Sequence, residues 1–201
     1  MLDGIIIERV RGEAISSQLD VLAELRIRVF REFPYLYEGS LEYEQKYLGA
    51  YAASPQSLVV IARDVHDGGR IVGASTAMPL AIHSDNVMPA LIAAGYDPDR
   101  VFYFGESVLD AAYRGRGVGH AFLDEREVVA RELGYATAAF CAVERPENHP
   151  ARPAAYRPLH ELWTKHGFRQ RPDITTTFEW KDVGDTAETP KKMVFWTKEL
   201  T

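Results

Sequence analysis

Apolar positions along the chain switch between two periods, and the switches mark out the elements. Ile5–Val10 reads as a short strand. Helical spacing follows, with Leu22, Leu25, Val29 and Phe30 recurring on one face, and Ser17 with Asp20 three residues on has the form of a capping box. Pro34 should stop that helix. The aromatic segment FPYLYEG (33–39) leads into a second helical stretch carrying Leu41, Tyr47, Leu48 and Tyr51. SLVVIARD (57–64) and RIVGASTAMPL (70–80) read as two strands about the glycine turn VHDGG. The connection 81–100 holds the apolar patch MPALIAAGY but no strong strand pattern. An apolar strand over 101–110 then meets a glycine-rich junction and a helix over 117–133, which Gly134 is placed to end. ATAAFCAV (136–143) is a buried-strand candidate. After the proline-studded loop ERPENHPARP come the short helix LHELWTKHGF and a closing strand pair, ITTTFEWK and KKMVFWTKEL.

In the long helix, Val118, Ala121, Phe122, Val128, Val129 and Leu133 are assigned to the apolar face, and Asp124, Glu127, Arg131 and Glu132 to the opposite one. The order strand–helix–helix–three strands–helix–strand–helix–two strands implies one α/β domain without a linker or internal repeat. Composition agrees: 201 residues with 46% hydrophobic content can bury a substantial core. No window approaches the roughly 18 uninterrupted apolar residues of a membrane span. The start, MLDGIIIERV, lacks the basic region and apolar run of a secretory signal. A single cysteine, Cys141, leaves no internal disulfide or Cys-based zinc site and fits a reducing cytoplasm. It sits among small residues, so packing explains it better than nucleophilic chemistry. The six histidines form no His-x-x-x-His pair with a further ligand, so no metal is expected. A net charge of −6 argues against a nucleic-acid partner and only mildly favours a cationic substrate.

The junction YRGRGVGH (113–120) carries the strongest chemistry. A helix starting near Gly117 leaves its first amide N–H groups unpaired, and its dipole adds about half a positive charge there. Glycines let a phosphate approach those amides, and Arg114 and Arg116 add full charges, so the junction is an anion cradle. No Walker lysine is present, and a dinucleotide fingerprint belongs in the first strand–helix unit rather than past mid-chain.

Arg114-x-x-Gly117-x-Gly119 resembles the acetyl-CoA pyrophosphate loop of the GCN5-related N-acetyltransferases (GNAT), as does its place between the fourth strand and the long helix. The resemblance extends over nearly the whole chain, including the helix that ends at Gly167-Phe168 after Trp163. It implies one domain over 1–201 with a central mixed, twisted sheet flanked by helices and an acyl-CoA cleft between splayed strands 4 and 5. Helices at 17–51 would lie on the acceptor side, 101–168 would form the acetyl-CoA core, and 174–200 the closing pair, through which such folds often dimerise. Val108 and Leu109 would offer main-chain groups to the pantetheine arm. Arg114, Gly115, Arg116, Gly117, Val118, Gly119 and His120 would hold the phosphates.

In such enzymes an amine attacks the thioester directly, so the protein must remove a proton from an alkylammonium, which at neutral pH costs roughly 4–5 kcal/mol. Glu106 is the candidate base: it is the ionisable group inside FYFGESVL, where desolvation raises a carboxyl's proton affinity. Its alternative role is a structural acceptor for a neighbouring hydroxyl or arginine. Tyr103 and Glu144 stand in reserve. The departure from the family lies in YRPLHELWTKHGF. Trp163 replaces the tyrosine that faces the cofactor sulfur, and Tyr156 stands where asparagine is usual. An indole donates one hydrogen bond but lends no proton, so Tyr156 is the candidate acid, if Pro158 turns it inward.

For the acceptor, PYLYEGSLEYE (34–44) suggests an ammonium pocket in which Tyr35, Tyr37 and Glu38, with Glu42 and Glu44, combine aromatic faces and carboxylates. A solvated acidic helix face is the competing explanation. His83 is placed by position near the substrate, and Trp180 and Trp196 read as core or as an acceptor-side wall. The reading is an acetyl-CoA-dependent N-acetyltransferase acting on a small-molecule or peptide amine. Its rivals are a catalytically weak acyl-CoA-binding module, a nucleotide-phosphate switch, and a subunit that modifies a protein partner.

Overall fold

The computed structural model describes residues 2–83 and 86–200. Its strands are β1 (Ile5–Arg11), β2 (Leu58–Asp64), β3 (Arg70–Pro79), β4 (Val101–Leu109), β5 (Thr137–Val143), β6 (Arg169–Trp180) and β7 (Thr189–Glu199). Its helices are α1 (Leu19–Phe30), α2 (Leu41–Ala52), α3 (Val87–Ala93), α4 (Val118–Glu132) and α5 (His160–Lys165). The strands form one open seven-stranded sheet in the order β1-β2-β3-β4-β5-β7-β6. Every neighbouring pair is antiparallel except β4 and β5.

Alternation along β4 explains how both faces are filled. Phe102 and Phe104 point toward α4 and pack with Phe122, Phe140 and Phe168. Val101 and Tyr103 point the other way, into a cluster with Val87 and Leu91 of α3 and Cys141 of β5. On that same side α1 and α2 contribute Leu22, Leu25, Leu48 and Tyr51 to the core over β2 and β3.

Three local expectations are corrected. Residues Gly12–Gln18 form a 3-10 segment that runs straight into α1, and Ser17 Oγ donates to the Ala14 carbonyl at 3.0 Å. No capping box forms, because such a box needs an extended N-cap and Gln18 (φ −113°, ψ −2°) is already helical in ψ. The apolar patch in 81–100, where no strand was expected, forms a helix, α3, consistent with that reading. On α4, Glu127 is buried against Lys198 (2.6 Å) and Arg131 (3.2 Å), whereas Val128 is exposed, so the face assignment was off by one residue there. The final strand pair also begins earlier than its apolar run. β6 starts at Arg169 and absorbs Pro172 in a register shift between Arg171 and Thr175, on the sheet edge where a missing N–H is tolerated.

Candidate active site

The parallel pairing of β4 with β5 covers only Val101–Tyr103 against Thr137–Ala139. Beyond those residues the two strands run on unpaired, which leaves one edge of β4 open from Phe104 to Leu109. On its other edge, the register with β3 passes from Ser75↔Ser107 to Ala77↔Phe104. β4 therefore carries one extra residue opposite Thr76, a bulge at Gly105–Glu106. Asp110 N–H donates to the Val72 carbonyl at 2.9 Å, which fixes the alternation. Val108 faces Ala74 within the ladder, while Ser107 and Leu109 turn their main-chain groups to the open edge. This corrects the assignment of Val108: the bulge shifts the exposed peptide groups to its two neighbours.

At the end of that edge lies the glycine junction. Gly115 (φ +75°) and Gly117 (φ +84°) are left-handed, a conformation that turns successive amides to one side. The first main-chain bond of α4 is donated by Ala121 to the Gly117 carbonyl. Among the described residues, no N–H from Gly115 to His120 donates to a main-chain carbonyl. Arg116 is exposed, its guanidinium 5.1 Å from the Tyr113 ring, and is placed to meet an anion. Arg114 is not: it donates to Glu32 at 2.7 Å and to the Leu109 carbonyl at 3.1 and 3.2 Å, so it is engaged at the end of the open edge and occupies that carbonyl. His120 Nδ1 and His166 Nε2 are 2.7 Å apart, and His166 faces Asp124 at 3.5 Å. Burial, with His120 adding to it, holds His166 below the ordinary histidine range against the pull of Asp124.

Gly117 gives a direct test of the cradle. An L-residue at its left-handed φ costs roughly 1–2 kcal/mol, so Gly117→Ala should turn the amides away. Titration calorimetry should show acetyl-CoA affinity falling by about tenfold. Unchanged affinity in a folded variant would remove the cradle from the binding site.

Glu106 does not stand alone in an apolar pocket. Its Oε1 is ion-paired with Arg26 of α1, and its Oε2 accepts from the Tyr47 hydroxyl at 2.9 Å. Arg26 also grips Glu44, whose side chain is fully buried. Burial works against the Arg26 cation, but Glu106, Tyr47 and Glu44 outweigh it and hold it above its usual range. Tyr47 and Tyr51 hydroxyls are 3.0 Å apart, and both are kept protonated, first by burial and then by the Glu106 charge. A Cβ on Gly105 would collide with Thr76 Oγ1 and the Tyr51 hydroxyl, so the bulge requires glycine.

The sequence matches the model of the acetyltransferase (GNAT) family over residues 22–168. The chain belongs to that family. Curated proteins yield no sequence match. Among solved structures, a ribosomal-protein-alanine N-acetyltransferase from Brucella melitensis aligns over 97% of this chain and 99% of its own, with a TM-score of 0.62 and 16% identity. The putative acetyltransferase yncA from Salmonella typhimurium, solved with its cofactor acetyl-CoA, aligns over 99% and 95% at TM-score 0.61 and 11% identity. Arabidopsis thaliana NAA60, solved with a bisubstrate analogue, aligns over 98% and 100% at 0.60 and 15%. At these identities the likeness concerns the fold.

The remaining expected site residues of this acetyltransferase fall into two groups. Tyr35, Tyr103 and His83 come together with Cys141 on the sheet face opposite α4. The His83 and Tyr103 rings are 4.7 Å apart, and the Tyr103 hydroxyl lies 3.2 Å from Cys141 Sγ. Burial pushes the Cys141 thiol up to about 12, which fits packing rather than nucleophilic chemistry. Tyr35 stacks on Trp180 at 6.0 Å. Burial first, then the Cys141, Glu106 and Tyr156 charges, keep its hydroxyl protonated. The carboxylates proposed to share its pocket are dispersed. Glu38 pairs with Lys181 at the surface (3.0 Å), Glu42 is solvent-facing, and Glu44 is buried beneath Arg26.

Tyr156 lies in the loop before α5 with its ring edge-on to Phe33 at 4.7 Å. Burial raises its pKa against the opposing effect of Arg152. Trp163 packs on Phe140 (4.9 Å) and Trp196 (5.0 Å), a core contact. Of the reserve bases, Glu144 is paired with Lys192 at 2.6 Å, and Tyr103 is kept protonated by burial first and then by Cys141. An unanticipated feature is the clamp on the 33–38 segment. Arg145 donates to both Asp182 oxygens (2.7 and 2.8 Å) and to the Pro34 and Tyr35 carbonyls (2.8 and 2.7 Å), which ties the aromatic segment to β6 and β7.

Proposed function

We propose that the protein transfers the acetyl group of acetyl-CoA to a primary amine of a small molecule or peptide, within one domain spanning the chain. The observation that carries this reading is the open β4 edge, which begins where β5 departs and ends at the unpaired amides of Gly115–His120. The residues present fit the donor: turned amides and Arg116 for the diphosphate, and the Ser107 peptide groups and the Leu109 N–H for the amide-bearing arm. When bound, acetyl-CoA supplies a thioester carbon that the amine nitrogen attacks as the C–S bond breaks, giving an N-acetyl amine and the free thiol. Glu106 takes the proton released by the amine, with Tyr47 and Tyr51 extending its reach through their hydroxyls. Tyr156, protonated at neutral pH, is the group assigned to return a proton to the leaving sulfur. The α1–α2 side, with Tyr35, His83 and Trp180, forms the acceptor wall.

At 100 times its dissociation constant, acetyl-CoA should raise the melting temperature by about 5–11 °C. ATP, which lacks the arm, should raise it less. A panel of amines and lysine-bearing peptides, followed by free-thiol release, should then yield an acceptor-dependent rate. Thiol release that no acceptor raises above background hydrolysis would refute the transfer reading.

A further inference from the structure

Arg126 lies on the buried side of α4, 3% exposed, and no carboxylate pairs with it at hydrogen-bond distance among the described residues. Its donors go elsewhere. Nη2 donates to Ser107 Oγ at 2.9 Å, Nε to the Phe122 carbonyl at 3.0 Å, and Nη1 to the carbonyls of Thr76 and Glu106 at 3.3 and 3.4 Å. The guanidinium also rests 4.5 Å from the Phe104 ring. Burial pushes it down to about 9, so it is still a cation at neutral pH. The two carbonyls it reaches with Nη1 are those that the bulge separates from the ladder.

The Glu106 carbonyl shares a peptide plane with the Ser107 N–H. In a trans peptide these groups point in opposite directions. The carbonyl faces the β3 gap and Arg126, so the N–H faces the open edge, in agreement with the register at Ser75↔Ser107. Ser107 is exposed although Val108, next to it on the strand, is buried. A carbonyl that accepts from a cation makes the N–H of its own peptide a stronger donor. Such a donor stabilises negative charge developing on an acyl oxygen.

We infer that Arg126 is a positioning residue for acyl transfer: from behind the sheet it fixes and polarises the Glu106–Ser107 peptide, so that the Ser107 N–H presents a charge-assisted donor to the thioester oxygen at the open β4 edge. This rests on the acetyl-CoA reading above. Glu106 is thereby held twice, its carboxylate by Arg26 on one face of the sheet and its carbonyl by Arg126 on the other.

The test compares Arg126→Met, Arg126→Gln and Arg126→Lys with the wild type. The primary readout is the infrared carbonyl stretch of bound acetyl-CoA labelled with carbon-13 at the thioester carbon. Binding is measured first by calorimetry. Absence of acetyl-CoA binding in the wild type would defeat the donor assignment and this inference together. Given binding, the wild type should shift the stretch to lower frequency than in free acetyl-CoA. Met and Gln should lose more than half of that shift, and Lys should keep most of it. The Met and Gln variants should lower kcat by about 10- to 100-fold with acetyl-CoA affinity within about threefold. Should the Met variant not fold, Gln, which keeps a donor without the charge, supplies the comparison with Lys. A wild type with no shift, or folded uncharged variants with the wild-type frequency whatever their kcat, would overturn the role.

Discussion

Glu106→Gln should lower kcat by about 10²–10⁴-fold while acetyl-CoA affinity stays within about twofold. The substitution keeps the size of the side chain and an oxygen that can accept from Tyr47, and it removes the capacity to take up a proton. The fold should tolerate it, because Arg26 retains Glu44 as a charged partner. The cofactor edge should tolerate it too, since the peptide groups of Ser107 and Leu109 and the amides at Gly115–His120 do not involve the carboxylate. Calorimetric binding and amine-dependent thiol release, measured on one preparation, separate the two effects. The ion pair with Arg26 makes this a sharp test, because the same geometry suits a purely structural carboxylate. A structural role alone predicts a lower melting temperature with kcat within about threefold of the wild type. That result would move the base elsewhere.

The boundary between what the chain announced and what it concealed follows from length of pattern. Long apolar runs located β2, β3, β4 and β5 in the chain, and the glycine-rich junction marked the start of α4, where the structure finds Gly115 and Gly117 left-handed. A single inserted residue breaks no such pattern. The bulge at Gly105–Glu106 is invisible to periodicity, yet it moves the exposed peptide groups from Val108 to Ser107 and Leu109. Arg26 and Arg126 were overlooked because arginine ordinarily faces water. Both, however, stand on apolar stripes: Arg26 follows Leu22 by four residues and precedes Phe30 by four, and Arg126 follows Phe122 by four. A cation at a core position, with no carboxylate three or four residues away to pair with it, was the available signal. The Arg145 clamp had no local signal, since its partners Pro34, Tyr35 and Asp182 are distant in the chain.

Arg26→Met should cost about 3–5 kcal/mol of stability, because it strands two buried carboxylates at once. Glu44 has no exposure, and Glu106 has 9% at its side chain, so water cannot replace the lost cation at either. For a chain of this size that corresponds to a fall in melting temperature of roughly 6–20 °C. Methionine nearly matches the volume and flexibility of the arginine stem, so the loss reports charge rather than a cavity. Glu44→Gln alone should cost less, since Arg26 then keeps Glu106. If Arg26 serves chiefly to balance Glu44, the double variant Arg26→Met/Glu44→Gln should recover about 1–3 kcal/mol relative to the sum of the single losses. Strict additivity in chemical denaturation would mean that the contact contributes nothing. Activity adds a separate reading of the same pair. The double variant relieves the stranded charge at Glu44 but leaves Glu106 without the guanidinium that holds its Oε1, so stability should return further than kcat does. Equal recovery of both would show that Arg26 supports the fold around the base without orienting the base itself.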